Sequence, residues 1–288
     1  MSAKFGPAGN SDAFSAVHKS SLAAPQWIAE QGLDCYEYQC GKGVHVGEDT
    51  ARRVGENARK HGISLSLHAP YFINLANPDP DSLQKTIGYI TSACLVASPM
   101  GASRVVIHSG ALMKRTRREA LDTALRSLRE VIRTCDGQGF GHIALCPETM
   151  GKINQLGDLE EVLELCTLDE RLIPCIDFGH LYARSLGADD GAEAFGRMLD
   201  RVESVLGQSR ASVFHSHFSH IQFTPGGGEK CHRTFDDDDG YGPDWAPLAR
   251  AIARRGWSPT FICESAGTQA KDALTMKRIY QEVLTAQG

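Results

Sequence analysis

The sequence predicts a single (β/α)8 barrel, one domain spanning residues 1–288. Three observations predict it. Eight short runs of β-branched, aromatic and aliphatic residues recur down the chain, and longer segments with helical spacing lie between them. No Gly/Ser-rich linker or composition break divides the chain. Strands alternating with helices imply parallel β-structure joined by crossover helices, and eight such units suffice to close a barrel. An open doubly wound sheet is the structural alternative. No Gly-x-Gly-x-x-Gly follows the first run and no P-loop occurs anywhere, which counts against the nucleotide-cofactor folds.

Taken in order, the strand candidates are residues 4–5, 33–38, 63–67, 104–107, 142–146, 173–176, 212–217 and 260–263. Each is short enough for a strand buried on both faces. Residues 83–100 and 118–135 carry apolar side chains at i, i+3, i+4 and i+7, the spacing of an amphipathic helix. Further helices are expected over 159–166, 193–206, 245–255 and 273–284, with Asp158 and Asp244 where N-caps belong. The longest irregular stretch, 226–243, opens with Gly226, Gly227 and Gly228 and later runs through Asp236 to Asp239. A loop of that length inside a barrel is expected to be functional or mobile.

Composition bounds the function. With 42% hydrophobic and 23% charged residues, the chain is neither collagen-like, mucin-like nor mostly disordered. No window of 18 apolar residues exists to span a membrane, and the N-terminal segment lacks the pattern of a secretory signal. Nine cysteines without a Cys-x-x-Cys pair read as reduced core thiols of a cytoplasmic protein. Cys146 and Cys175 are expected to face inward as small core fillers. The net charge of −5 taken alone opposes a nucleic-acid partner.

The chemistry lies in where the ligand-type residues fall. His68, His108, Glu148, Asp177, His217 and Glu264 each stand at or just after the end of a consecutive strand candidate. His180 follows Asp177 by three residues, and His232 lies in the long loop after the seventh strand. In a parallel barrel all C-terminal strand ends converge on one mouth. A lone histidine there is ordinarily a hydrogen-bonded structural one, but so many acids and imidazoles in one place must be paired or metal-bound. Mixed His/carboxylate sets suit Zn²⁺ or Mn²⁺, and the histidine excess favours zinc. His215 shares the inward face of His217 by the period of two and is read as supporting it. His18, His45, His61 and His142 have no such placement and are read as solvated or structural.

These pieces together resemble the endonuclease IV family of apurinic/apyrimidinic endonucleases, within the xylose-isomerase-like barrels. The resemblance runs from about Leu65 to Glu264 and rests on HAPYFINL (68–75), VVIHSG (105–110), PET (147–149), CIDFGH (175–180) and CES (263–265). It implies a trinuclear zinc site that cleaves DNA 5′ to an abasic deoxyribose. It further implies that His68, His108 and Glu148 hold a first zinc. Glu148 would bridge to a second completed by Asp177, His217 and Glu264, making Glu148 the central catalytic group. His180 and His232 would hold the third, which the family completes with the Asp of an Asp-x-His pair. Here the loop reads GEKCH (228–232), leaving Glu229 the nearest carboxylate, one residue out of register. A turn or helical conformation would point Glu229 and His232 the same way, with Cys231 or water the next candidates. The family's His-Leu-Asn-Asp is replaced by HFSH (217–220), and its first-strand His is absent from FGPAGN (5–10).

Three divalent ions would turn the net charge from −5 to +1 and remove its objection to DNA with abasic or damaged sites. Lys114 and Arg115, with Arg117 and Arg118, form a basic cluster on the expected metal face, readable as a DNA contact or a solvated helix start. Tyr71 and Phe72 follow His68 on a mouth loop, where the resembling family places rings that wedge into a bent duplex. The alternative on the same barrel is a metal-dependent sugar isomerase or epimerase. A third possibility is a metal-retaining barrel that binds without turnover. A monomer is expected.

Overall fold

In a computed structural model, which describes residues 2–287, eight parallel strands form the barrel wall: β1 (Lys4–Pro7), β2 (Cys35–Gln39), β3 (Ser64–His68), β4 (Arg104–His108), β5 (Ala144–Glu148), β6 (Cys175–Asp177), β7 (His215–Phe218) and, after a hairpin of β8 (His220–Thr224) and β9 (Gly228–Arg233), β10 (Thr260–Cys263). The wall runs β1-β10-β7-β6-β5-β4-β3-β2. A parallel bridge between Ala8 and Glu37 joins its two ends, so the ring closes. At that seam a side chain at Gly6 would put its Cβ 1.8 Å from the Cys35 carbonyl oxygen. Glycine is required there for steric room rather than for backbone freedom.

All eight expected runs lie in the wall, with bounds shifted by a few residues at most. The first extends to Pro7, and the seventh begins at His215 rather than 212, which makes His217 the penultimate residue of β7. Residues 159–166 and 245–255 are helical with the expected bounds, capped by Asp158 and Asp244. The other expected helices are a few residues longer: Pro80–Met100, Arg117–Gly137, Gly191–Leu206 and Gln269–Gln287. Helix Pro80–Met100 starts on an Asp79 cap that accepts from the Ser82 amide, and it ends at Gly101 with φ 74°. Helix Glu48–His61 has few large apolar residues for its length; what it buries is Ala51, Val54, Gly55 and Ala58. Its polar and apolar positions do segregate by face, but the buried face is made of small residues, so no set of large apolar side chains marked it.

The irregular stretch expected over 226–243 is corrected in its first part. Gly228–Arg233 is a strand, paired antiparallel with β8. Its glycines supply the tip of a hairpin, and Gly228 takes φ 74°. The aspartates beyond it are tied locally. Asp236 pairs with Lys271, Asp237 accepts from the Thr234 amide at 2.7 Å, and Asp239 pairs with Arg233.

The core lies between wall and helices. Phe5 stacks on Phe261 with centroids 5.6 Å apart, and Trp245 meets Phe261 edge-on at 4.8 Å. All nine cysteines are free thiols, eight of them buried, including Cys146 and Cys175. Within the described residues no helix is long and apolar enough to cross a membrane.

Candidate metal centre

Glu148, the last residue of β5, is buried at the centre of the barrel mouth. Its Oε2 lies 3.3 Å from His68 Nε2 and 3.2 Å from His108 Nε2. Its Oε1 lies 2.9 Å from His217 Nδ1 and 3.5 Å from His180 Nδ1. One carboxylate therefore faces four imidazoles carried by four different barrel segments.

Each ring is fixed by what its other nitrogen does. His68 Nδ1 donates to the Ala69 carbonyl at 2.8 Å, which turns Nε2 to the cluster. His180 Nδ1 donates to the Thr149 carbonyl at 2.9 Å, leaving its Nε2 3.5 Å from Glu229 Oε2. His232 Nδ1 is hydrogen-bonded to Ser219 Oγ at 2.7 Å. His217 turns Nε2 to Glu37 Oε1 at 2.9 Å and Nδ1 to Glu148 and Glu264, the latter 3.5 Å away. Imidazoles anchored on one nitrogen that present the other to shared carboxylates are built as metal ligands are.

The carboxylates fit the same reading. Asp177 Oδ1 accepts from the His180 amide at 2.8 Å and so caps helix Phe178–Arg184, but its buried Oδ2 has no hydrogen-bond partner. An orphaned buried carboxylate oxygen beside two more carboxylates calls for a cation. Glu148, Asp177, His217 and Glu264 each offer one ligand atom within 4.8 Å of the others. So do His68, Glu148 and His217, and separately His180, Glu229 and His232. His108 joins the first set through its contact with Glu148 and lies 5.1 Å, centroid to centroid, from His68.

Electrostatics tell the same story without an ion. Burial pushes the Asp177 carboxyl up from its ordinary value. Burial also works against an ionised Glu148, yet the His217 charge and the hydrogen bonds from His108, His217 and His68 hold it well below the carboxylate range. His68 is lowered by burial but raised more strongly by Glu148, ending near 9, and His180 reaches about 9 against its own burial through Asp177, Glu229 and Glu148. Protons thus occupy the places that cations would take.

Glu229 and His232 do share a face, but not through a turn or helix. They lie on strand β9, where residues three apart should point to opposite faces. The ladder shifts register: Gln222 pairs with Cys231 while Phe223 pairs with Glu229, so Lys230 is an extra, bulged residue. The bulge returns Glu229 to the side of His232 and leaves Cys231 on the other side, its Sγ 3.3 Å from Gln222 Oε1. The hairpin docks on the loop after β5. The Glu229 amide donates to the Gly151 carbonyl at 3.1 Å, and a Cβ at Gly151 would lie 2.6 Å from that of Glu229.

Glu37 was not among the expected site residues. It is fully buried in β2, 2.8 Å from His215 Nε2, with Ser66 Oγ donating to it at 2.9 Å. The period of two in CYEYQ does put Glu37 inward, but a single acid among core residues gave no partner to suggest its role.

The mouth is a cavity of about 310 Å³ whose lining adds Tyr71, Met150, Lys152 and Gln155 to the ligand-type residues. Tyr71 and Phe72 are 50% and 49% exposed, with ring centroids 4.3 Å apart. They stand out from the loop instead of packing into the core. The basic cluster divides. Lys114 is exposed, with φ 60°. Arg115 donates to the Ala76 carbonyl and, at 2.9 Å, to Thr123 Oγ1. Arg117 binds Glu161 at 2.7 Å, and Arg118 pairs with Glu164 at 2.9 Å and with Asp122. Three of the four cations are thus tied to neighbouring groups, and Lys114 and Arg118 are the two that are exposed.

Comparison with known proteins bears on the whole chain. Residues 25–282 match the model of the xylose isomerase-like TIM barrel family. An uncharacterized protein of Methanocaldococcus jannaschii is 30% identical over 256 residues, 89% of this chain and 90% of its own. A probable endonuclease 4 of Mycoplasma pneumoniae is 29% identical over 164 residues, and the match spans 54% of each chain, about half the length of that relative. Among solved structures, a D-tagatose 3-epimerase-like protein superposes with TM-score 0.72 at 19% identity, covering 99% of both chains. Endonuclease IV from Thermus thermophilus superposes with TM-score 0.66 at 17% identity over 98% of this chain and 99% of its own. At such identities the superpositions speak for the fold alone.

Proposed function

The chain belongs to the xylose isomerase-like TIM barrel family, and from that premise we propose that it is a zinc-dependent phosphodiesterase that cleaves DNA 5′ to abasic sites. One observation carries the reading: a second ligand group, His180, Glu229 and His232, stands beside the set gathered around Glu148. Five imidazoles with four carboxylates suit zinc, three ions per chain, better than the oxygen-rich sets that Mg²⁺ prefers; Mn²⁺ is the other transition metal this set accepts. His68, His108 and Glu148 would hold one ion, Glu148, Asp177, His217 and Glu264 a second, and His180, Glu229 and His232 the third. Bound there, the ions would supply Lewis acidity at a scissile phosphate.

The remaining residues serve position and access. Glu148 keeps one oxygen toward the β3–β4 side and one toward the β6–β7 side, so a single charge ties two ligand sets together. The Ala69 and Thr149 carbonyls and Ser219 hold the imidazoles in register before substrate arrives. Tyr71 and Phe72 on the rim would wedge into the base stack of a bent duplex while Lys114 meets its backbone. Arg115 belongs to this proposal only through the loop it braces around Ala76. The protein would act as a cytoplasmic monomer, where its free thiols stay reduced.

The second reading, a ketose epimerase, is favoured by the fold match to the D-tagatose 3-epimerase-like structure and by Glu148 and Glu264 meeting in one ligand set. Zinc-loaded protein assayed in parallel on an abasic duplex and on free ketoses separates the two. The proposal expects strand scission 5′ to the abasic sugar. An intact duplex with epimerised sugar would replace it with the second reading. Tyr71→Ala with Phe72→Ala should weaken binding of abasic duplex far more than hydrolysis of a small phosphodiester; equal losses would assign both rings to packing.

A further inference from the structure

Three loops at the mouth are laced to one another. The Ala111 amide donates to Asn74 Oδ1 at 3.1 Å, joining the loop after β4 to the loop after β3. The Leu112 amide donates to the Asn154 carbonyl at 3.1 Å, and Ala111 bridges Gln155, a residue lining the mouth cavity. Beyond this lacing the chain makes a turn, closed by the Arg115 amide donating to the Leu112 carbonyl at 3.0 Å. Its two central residues, Met113 and Lys114, take φ 54° and 60°. Two consecutive positive φ values mark a type I′ turn, which ordinarily holds Asn, Asp or Gly because a bulky side chain is strained there. Among the described residues the only other side chain in that region is Leu186, which follows a helix end, where the left-handed conformation is common.

Packing does not offset that strain. Met113 is 50% exposed, and Lys114 is exposed beside it. A strained turn at the rim of a site, with its side chains in solvent, is built for what those side chains meet. We propose that Met113 is a second apolar wedge for the nucleic-acid duplex, offered from the loop after β4 as Tyr71 and Phe72 are offered from the loop after β3. Methionine is among the side chains that enter unstacked base steps, and burying its exposed half against bases offsets the strain of the turn. Lys114 places a cation next to that apolar tip, as a phosphate backbone flanking the bases requires. Arg115, donating to the Ala76 carbonyl and to Thr123 Oγ1, fixes the turn from behind. The inference rests on the proposed cleavage of DNA for its partner, but not for the strain.

Met113→Asn tests it, because it gives the turn a residue suited to positive φ while removing the apolar tip. The probe is an abasic duplex with a non-hydrolysable linkage 5′ to the abasic sugar, titrated into the zinc-loaded full chain. The melting temperature of the variant should rise by about 1–3 °C. Its affinity for the duplex should fall by about 5–10-fold, the worth of burying half a methionine side chain. No charge is lost, so the slope of log affinity against log salt should not change. Lys114→Gly should also raise the melting temperature, but its loss of affinity should come with a slope shallower by about 0.9. Met113→Ala keeps the strain and removes the tip; it should lose affinity alike without the thermal gain, and it decides the matter should Met113→Asn fail to fold. Native-like affinity in both Met113 variants would overturn the proposal and leave the cleavage reading standing. A lower melting temperature in Met113→Asn would also overturn it, by making the side chain a packing residue. Native protein that does not bind the duplex would refute the inference and the cleavage reading together.

Discussion

At the scale of single residues, position within a strand carried most of the site. His68, His108, Glu148, Asp177, His217 and Glu264 were legible because each ends or follows a run of apolar residues, and parallel strands bring such ends to one mouth. Glu37 was hidden by the same rule: it sits mid-strand, where an acid has no ligand-like position, and its meaning comes from His215 and His217 across the barrel. The residue-scale prediction concerns Glu148→Gln. The amide keeps the shape but loses the charge that faces His68 and His108 with one oxygen and His217 with the other. Activity on the true substrate should fall roughly 10²–10³-fold or more, the range for removal of one electrostatic group at a reacting centre. Circular dichroism should stay unchanged. Near-native turnover in the variant would remove Glu148 from the centre of the account.

At the scale of elements, the hairpin of β8 and β9 is the part the sequence concealed. Its glycine tip reads as a breaker, and the bulge at Lys230 destroys the alternation by which a strand is recognised. That same bulge gives a Glu-x-x-His spacing the same-face arrangement that an Asp-x-His pair has on a regular strand: the inserted residue is expelled from the ladder and both ligand-type side chains return to one face. Two changes test the element. Glu229→Ala should lower zinc from three ions per chain to two and reduce cleavage, with the ions around Glu148 retained. Gly151→Ala should do nearly the same from a residue that ligates nothing, because its Cβ would lie 2.6 Å from that of Glu229 and 3.0 Å from His180 Cδ2. Elemental analysis after dialysis reads both. Three tightly held ions in Glu229→Ala would exclude Glu229 as ligand, and Cys231 could replace it only if the strand lost its bulge.

At the scale of the whole molecule, the alternation of eight apolar runs with helical segments was enough to read the barrel, while its closure depends on a contact no pattern announces. Gly6→Ala would drive a methyl group into the Cys35 carbonyl at the seam, and the backbone on both sides is fixed by the wall. We expect a loss of about 3 kcal/mol or more in urea unfolding, at the upper end for overpacked sites; a loss under about 1 kcal/mol, below that range, would show that the seam is slack. Ions bound only by the folded barrel should stabilise it in turn. With free zinc at about 1,000 times the dissociation constant, one site adds about 4 kcal/mol, so chelation should lower the melting temperature by on the order of 10 °C. The most direct test of the account is anomalous diffraction at the zinc edge from zinc-loaded crystals. Three peaks per chain are predicted, two of them about 3.5–4 Å apart on either side of Glu148 and the third among His180, Glu229 and His232. A single peak, or none beside the hairpin, would contradict it.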